Sequence, residues 1–164
     1  MKTVLRRTCW SLFSIPLLSS LFLSGCAHDP YQEQADLVKE HTESFYDHLR
    51  AGRVEYAIRE NEHIEAMASE MGHRVRTGAA QRGTTAVERE FAWMKTADEA
   101  AATNWLALGQ YFAIKKQYAR ARATYQRVVT TYTNPTDRAY REQAARALQD
   151  LDILDPLPAE TQNP

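Results

Sequence analysis

Apolar side chains recur every three or four positions along most of the chain, which is the spacing of one face of an α-helix. No stretch alternates apolar and polar residues over the length of a typical strand. Gly52, the glycine-containing stretch 72–83 and the pair Asn134-Pro135 interrupt the helical pattern. The pattern therefore predicts an all-α fold of about six helices, and the short connections favour antiparallel neighbours arranged as helical hairpins.

The first two predicted helices form the front of the domain. Asp29 followed by Pro30 is typical of a helix start, because a side-chain cap precedes a residue whose missing N–H costs nothing there. The first helix should run from Pro30 to Gly52, since glycine suits a helix end. The second should follow from about Arg53 and end near the glycines of 72–83.

The other four predicted helices occupy the second half of the chain. Thr85-x-x-Glu88 and Thr96-x-x-Glu99 have the form of capping boxes, which predicts a short third helix and a separate fourth helix. Residues 118–132 carry an amphipathic stripe and form the fifth. Asn134-Pro135 precedes the sixth, and the proline-rich residues 156–164 should be a disordered tail. The inner face of the sixth helix is formed by Tyr140, Ala144, Ala147, Leu148 and Leu151.

Residues 102–135 hold a pattern that joins the fourth and fifth predicted helices. It consists of Trp105-x2-Leu108-Gly109-x2-Phe112 and Ala121-x3-Tyr125, with Pro135 behind them. This pattern resembles the tetratricopeptide repeat (TPR), a pair of antiparallel helices. Close packing of such a pair implies that small Gly109 and Ala121 lie where the two backbones approach, with aromatic side chains around them.

The match to the TPR pattern has two departures. Val128 stands where the family usually has a second alanine, and Pro135 comes about two residues late. The alternative is an ordinary helical hairpin that matches by chance. The sixth predicted helix resembles the closing helix of TPR arrays, and the first two helices are either a degenerate repeat or an unrelated hairpin.

The N-terminus has the features of an export signal. Three basic residues within the first seven positions precede an uncharged apolar run, residues 8–23, which is short for a transmembrane helix. The run closes on Leu23-Ser24-Gly25-Cys26, which resembles the lipobox of bacterial lipoproteins. The resemblance implies that residues 1–25 are a cleaved signal peptide of the general secretory route and that Cys26 is acylated. The alternative is an uncleaved signal anchor.

Acylation at Cys26 has consequences for location and stability. By the sorting habit of lipoproteins, Ala27 after the cysteine implies a lipid anchor in the outer membrane, with the domain facing the periplasm. Cys9 would leave with the signal peptide, so the mature chain would have no free thiol and no disulfide. The predicted domain, residues 26–155, must then be stabilised by packing alone.

Charge is unevenly distributed along the mature chain. Removal of the three basic residues of the signal peptide from the 20 in the sequence leaves 17 against 21 acids, a net charge of −4, which excludes a strongly basic nucleic-acid binder. Residues 27–71 hold 11 acids and 4 bases, whereas residues 71–87 hold no acid. Arg74, Arg76 and Arg82 therefore form either a mobile basic loop that meets an anionic partner or a solvated connector.

Motifs that carry chemistry are missing from the sequence. It contains no G-x-S-x-G, no H-E-x-x-H and no phosphate-binding glycine loop. Glu60-x-x-His63 and Glu70-x-x-His73 have the form of di-iron ligand pairs, but both lie on one predicted helix, about 15 Å apart. We therefore predict no enzymatic activity, no cofactor and no metal site.

One face of the fourth predicted helix is a candidate partner-binding surface. Trp105, Leu108 and Phe112 share the face that should meet the fifth predicted helix. The opposite face is mostly apolar, so it is either buried by the second or third predicted helix or part of a concave TPR groove. We expect partial burial, with a partner bound at the residues that remain exposed. The predicted partner-binding residues are Thr103, Leu106, Gln110 and Ile114.

These features predict a lipid-anchored periplasmic adaptor that binds another envelope protein and assists the assembly or stability of an envelope complex. The alternative is a permanent structural subunit of a large membrane-associated complex, and a periplasmic enzyme ranks last. An exposed groove on a polar surface favours the adaptor, whereas large apolar patches on several faces favour the structural subunit.

Overall fold

The computed structural model describes residues 30–78 and 83–156. The helices in chain order are α1 (Pro30–Arg50), α2 (Val54–Gly78), α3 (Thr84–Ile114), α4 (Tyr118–Thr131), one turn of 3-10 helix (Pro135–Asp137) and α5 (Arg138–Leu154). No strand occurs in the two described ranges, which confirms the all-α class. The predicted signal peptide, Cys26, Arg82 and residues 157–164 of the predicted tail lie outside the described residues.

The predicted third and fourth helices are one helix, α3, of 31 residues. Thr96 does not start a helix, because its hydroxyl donates to the carbonyl oxygen of Ala92 at 3.0 Å, as threonines do inside helices. α3 begins at Thr84 without a side-chain cap, so Thr85 does not form the predicted capping box. The alanine-rich stretch 97–102 continues the helix through the predicted break, since alanine is the best helix former. The described residues therefore contain five α-helices and not six.

The second helix is longer than the sequence pattern predicts. α2 continues through Gly72 and ends at Gly78, so Arg74 and Arg76 lie on its last turns and not in a loop. Gly72 is buried, and a Cβ added to it would lie 3.1 Å from Sδ of Met94 on α3. Glycine at this position therefore allows α2 and α3 to approach closely, and it does not end the helix.

Helix α3 is central to the bundle. Each helix packs against the next in sequence, and in addition α1 packs against α3 and α3 against α5. All five helices contribute to one apolar core. The largest fully buried apolar side chains are Phe45 of α1, Ile64 of α2, Leu108 and Phe112 of α3, Val128 of α4 and Leu151 of α5. Every one of them occupies an apolar position of the helical spacing in the sequence, such as Phe45 in the apolar stripe of α1.

Two helix ends have the same hydrogen-bonded turn. At the end of α1, the amide of Arg53 donates to the carbonyl of His48 at 2.8 Å, and Gly52 adopts a φ of 71°. This left-handed conformation is the usual role of glycine after a helix, and it confirms Gly52 as the end of the first helix. At the end of α3, Lys116 takes the equivalent position with a φ of 57°. A side chain at such a φ is unfavourable, so this turn stores strain that glycine would relieve.

Gly109 is the point of closest approach between α3 and α4. A Cβ added to Gly109 would lie 2.5 Å from Cε1 of Tyr125, well inside the contact distance of two carbon atoms. Ala121, one turn earlier on α4, is fully buried. The close packing of small residues against an aromatic ring, which the sequence pattern predicts here, is therefore present.

We expect Gly109→Ala to destabilise the protein although alanine is the better helix former. The added methyl group must displace the Tyr125 ring, and overpacking of this kind costs about 1–3 kcal/mol. Urea denaturation followed by circular dichroism measures the free energy of unfolding. Gln110→Ala, at the exposed neighbouring position, is the control and should change stability little. A Gly109→Ala variant that is more stable than the parent would contradict the close contact.

Candidate functional site

A groove with a volume of about 460 Å³ runs between α3 and α5, and α4 contributes one aromatic ring to it. We call it the α3–α5 groove. The lining residues on α3 recur every three or four positions, and so do those on α5. Each helix therefore contributes one continuous face to the groove. The lining residues are Thr103, Leu106, Ala107, Gln110 and Ala113 of α3, Tyr125 of α4, and Tyr140, Gln143, Ala147, Asp150, Leu151 and Leu154 of α5.

Three of the four predicted partner-binding residues line this groove. Thr103 and Gln110 are exposed there, and Leu106 is only 7% exposed. Ile114, the last residue of α3, is 71% exposed and is not among the lining residues. The prediction that the second or third helix covers this face was wrong, because α5 lies opposite it. The reason is that α2 occupies a different side of α3, where the Asn61 side chain donates to the carbonyl of Ala101 at 3.1 Å.

Sequence reasoning missed the half of the groove that α5 supplies. Gln143, Ala147, Asp150 and Leu154 recur every three or four residues along α5, so the spacing alone contains a signal for a shared face. The spacing is hard to recognise in the sequence because this face contains both apolar and polar residues. Two of these four side chains are polar, and a polar residue at helical spacing normally indicates a solvated face.

The groove offers aliphatic walls together with a few polar groups. The polar groups include the hydroxyls of Thr103 on α3 and Tyr140 on α5. Burial raises the pKa of Tyr125, and the nearby carboxylate of Asp150 raises this pKa further. Burial also raises the pKa of Tyr140, so both phenols keep their protons well above neutral pH. Such a surface suits the backbone and mixed side chains of a peptide segment, and no Ser, Cys, Lys or His side chain lines it.

A second feature is a partly buried carboxylate that contacts side chains from neighbouring helices. Glu65 of α2 accepts hydrogen bonds from the indole Nε1 of Trp105 at 2.7 Å, from the hydroxyl of Tyr132 at 2.9 Å and from the guanidinium of Arg127 at 2.6 Å. The Arg127 guanidinium also lies over the Trp105 ring, 4.1 Å from its centroid. Burial is the main cause that raises the pKa of Tyr132 far above its ordinary value, and Glu65 adds to it. We call these four residues the Glu65 cluster.

A cleft of about 390 Å³ adjoins the Glu65 cluster and lies between the C-terminal half of α2, the N-terminal half of α3 and the turn between α4 and α5. We call it the acidic cleft because it contains the carboxylates of Glu65, Asp98 and Asp137. Burial, together with the charges of Asp137 and Glu65, raises the pKa of Asp98 from 3.8 to about 6. Arg76 lies at the same cleft, whereas Arg74 pairs with Glu70 on its own helix.

A cluster of histidines lies between α1 and α2. Nδ1 of His41 is 2.6 Å from one carboxylate oxygen of Glu60, and Nε2 of His48 is 3.8 Å from the other. His63 stacks on His41 with 5.3 Å between ring centroids. No group of three or more potential ligands within the described parts of the chain has a geometry that could hold a metal ion. The sequence motif paired Glu60 with His63 of the same helix. In the structure Glu60 instead lies closest to His41 and His48 of α1.

Comparisons with protein families, with curated proteins and with solved structures find no match to this chain. Among the residues that the structure describes, no helix has the length and apolar character to cross a membrane. The function must therefore be argued from the geometry of the chain's own residues.

We expect Asp98→Asn to stabilise the protein above pH 6 and to have no effect below about pH 4. The pKa of Asp98 is higher in the folded state, about 6, than its ordinary value of 3.8. Between these two pH values the folded state binds more protons, so stability falls as the pH rises. The full shift corresponds to about 3 kcal/mol, and solvent screening of this half-buried group reduces the expected gain at pH 8 to about 1–2 kcal/mol.

Thermal and urea unfolding of both proteins between pH 4 and pH 8 measures this difference. Asp36→Asn, an exposed position on α1, is the matched control and should show no such pH dependence. Equal stabilities of the parent and Asp98→Asn at every pH would contradict the raised pKa of Asp98 in the folded protein.

Proposed function

We propose that this protein is a lipid-anchored adaptor of the bacterial envelope, which holds a segment of another envelope protein in the α3–α5 groove. The observation that carries the proposal is the groove itself, because it contains Thr103, Leu106 and Gln110 and is open to solvent on an otherwise polar surface. Bound in this way, the partner would be assembled or stabilised near the membrane. The partner is a protein and not a nucleic acid, given the net charge of −4.

The packing order of the helices supports a TPR-like arrangement. α1, α3 and α5 contact one another in turn, and α2 and α4 follow as the second helices of successive hairpins. In helical-repeat proteins the first helices of the repeats line the concave surface that takes a partner segment. The α3–α5 groove lies between two such first helices, and the contact of Gly109 with Tyr125 closes the hairpin of α3 and α4.

The sequence before α1 supports the anchor. The apolar run and Leu23-Ser24-Gly25-Cys26 favour acylation of Cys26, and Ala27 favours retention in the outer membrane on its periplasmic side. The acyl groups would be the contact with the membrane, and the described helices would remain in the periplasm.

The permanent structural subunit is less well supported. Large exposed apolar side chains are present but mostly single, as on ordinary soluble surfaces. They are Leu37, Tyr56, Phe91, Ile114, Ile153 and Leu154. An enzymatic role has no metal-ligand set among the described residues on which to rest.

The groove is tested by filling it at exposed positions. We expect Gln110→Arg combined with Gln143→Arg to reduce capture of the partner roughly tenfold or more, a loss of at least about 1.4 kcal/mol, because two long cations occupy the space of the bound segment. The measurement is the recovery of cross-linked partner in a pull-down of the lipidated protein from envelopes. Leu106→Glu is unsuitable as a test, because this side chain is buried and the variant would unfold.

The matched control carries the same charges outside the groove, as Gln126→Arg with Gln149→Arg. Both double variants should keep the helical circular dichroism and melting temperature of the parent. Equal loss of partner in the two double variants, or full capture by the groove variant, would refute the groove as the binding site.

The anchor is tested separately. Cells that express the parent protein and are fed labelled palmitate should incorporate the label, and the Cys26→Ser variant should not. Cys9→Ser is the control, since Cys9 belongs to the predicted signal peptide and its loss should leave labelling intact. Label on the Cys26→Ser protein would show that the lipobox interpretation is wrong.

A further inference from the structure

The contacts between helices determine which helix ends lie together. His41 of α1 lies beside Glu60 and His63 of α2, so these helices are antiparallel and the start of α1 lies near the end of α2. Gly72 of α2 meets Met94 of α3, which places the end of α2 near the start of α3. The first turn of α1, the last turn of α2 and the first turn of α3 therefore form one end of the bundle, which we call the proximal end.

The proximal end is tied closely to Cys26. Only three residues separate Cys26 from Pro30, the first residue of α1. Whatever conformation they adopt, four peptide units span at most about 14 Å. An acylated Cys26 at the membrane surface would therefore hold the start of α1 within about 14 Å of the lipid.

The α3–α5 groove lies toward the opposite end of the bundle. Along α3 it extends from Thr103 to Ala113, which are 19 and 29 residues beyond Thr84. At 1.5 Å per residue these positions are roughly 28 and 44 Å from the start of the helix. Thr103 of α3 and Tyr140, near the start of α5, both line the groove, which places the start of α5 at about the height of Thr103.

Charge opposes a bundle that lies flat on its first two helices. Residues 30–71 contain 10 acids and 4 bases, a balance of −6, which anionic headgroups would repel. The last turns of α2 carry Arg74 and Arg76 and no acid beyond Glu70. The first turn of α1 adds one acid, Glu33, so the parts of α1 and α2 at the proximal end are close to neutral, and an anionic lipid surface repels them less than it repels the whole side formed by the two helices.

We propose that the proximal end contacts the phospholipid surface and that the protein stands upright on it, with the α3–α5 groove opening roughly 30 to 45 Å from the membrane. This inference rests on the proposed acylation of Cys26. It adds to the adaptor function the distance between the membrane and the bound partner segment. A partner segment that ends at the bilayer could not reach the groove, whereas one that extends into the periplasm could.

Energy transfer from a dye on the protein to an acceptor on lipid headgroups tests the orientation. Thr77→p-azidophenylalanine places a dye at the proximal end, and Gln143→p-azidophenylalanine places it at the groove, both at exposed positions. The acylated full chain is bound to vesicles of phosphatidylethanolamine and phosphatidylglycerol that carry the acceptor. We expect transfer to be several-fold more efficient from position 77 than from position 143. Gln117→p-azidophenylalanine, in the turn between α3 and α4, is the control for the far end.

Equal transfer from positions 77 and 143 would show a bundle that lies flat, and higher transfer from position 143 would show an inverted one; either result overturns the proposal. A failure of acylation in cells is a separate result, because the same variants can be anchored by a maleimide lipid coupled to Cys26. Orientation is then measured on the same tether, so an upright bundle would support this inference even if cells do not acylate the protein.

Discussion

Glu65 is the residue on which the arrangement of the helices depends most. Its carboxylate, supplied by α2, accepts hydrogen bonds from Trp105 of α3, from Arg127 of α4 and from Tyr132, the residue that follows α4. Hydrogen bonds to an ionised group are shorter and stronger than those between neutral groups, and three of them satisfy a charge that would otherwise be costly to bury. Because each donor comes from a defined position on its helix, the cluster sets the register of α2, α3 and α4 together. The placement of Tyr125, and with it the wall of the α3–α5 groove, follows from that register.

The unequal lengths of α3 and α4 explain why the bundle has two different depressions. α3 has 31 residues and α4 has 14, so α4 covers only part of its neighbour. Where α4 is present, α5 can pack beside it and enclose the groove. Beyond the end of α4, the chain turns at Pro135–Asp137. The acidic cleft lies between this turn, α2 and the N-terminal half of α3. The two depressions differ in chemistry because one is bounded by helix faces and the other by a turn rich in polar side chains.

The sequence predicts those parts of the fold that depend on local pattern and fails where distant residues meet. Gly52, the buried stripe that includes Phe45, and the contact of Gly109 with the α4 ring were all predictable, because each follows from spacing or from a motif within about 30 residues. The extra helix break arose from Thr96, whose motif is the same whether the threonine caps a helix or bonds within one. Only the alanines that follow it distinguish the two.

The candidate sites also differ in how far local sequence pattern predicts them. Thr103, Leu106 and Gln110 share a face of one helix, so periodicity was enough to group them. Their neighbours on α5 were not predictable, because which helix covers which face is decided by the packing of the whole bundle. The Glu65 cluster is the extreme case, since its members are separated by as many as 67 residues and no spacing rule connects them.

The packing of each helix chiefly against its neighbour in sequence also bears on how the chain reaches this structure. Contacts between consecutive helices close short loops, which cost little chain entropy, and proteins dominated by such contacts fold in microseconds to milliseconds. During synthesis from the N-terminus, α1 can pair with α2 while α4 and α5 are still absent. The apolar faces of the early helices would then be exposed only briefly, which limits the time available for aggregation before α3 arrives to cover them.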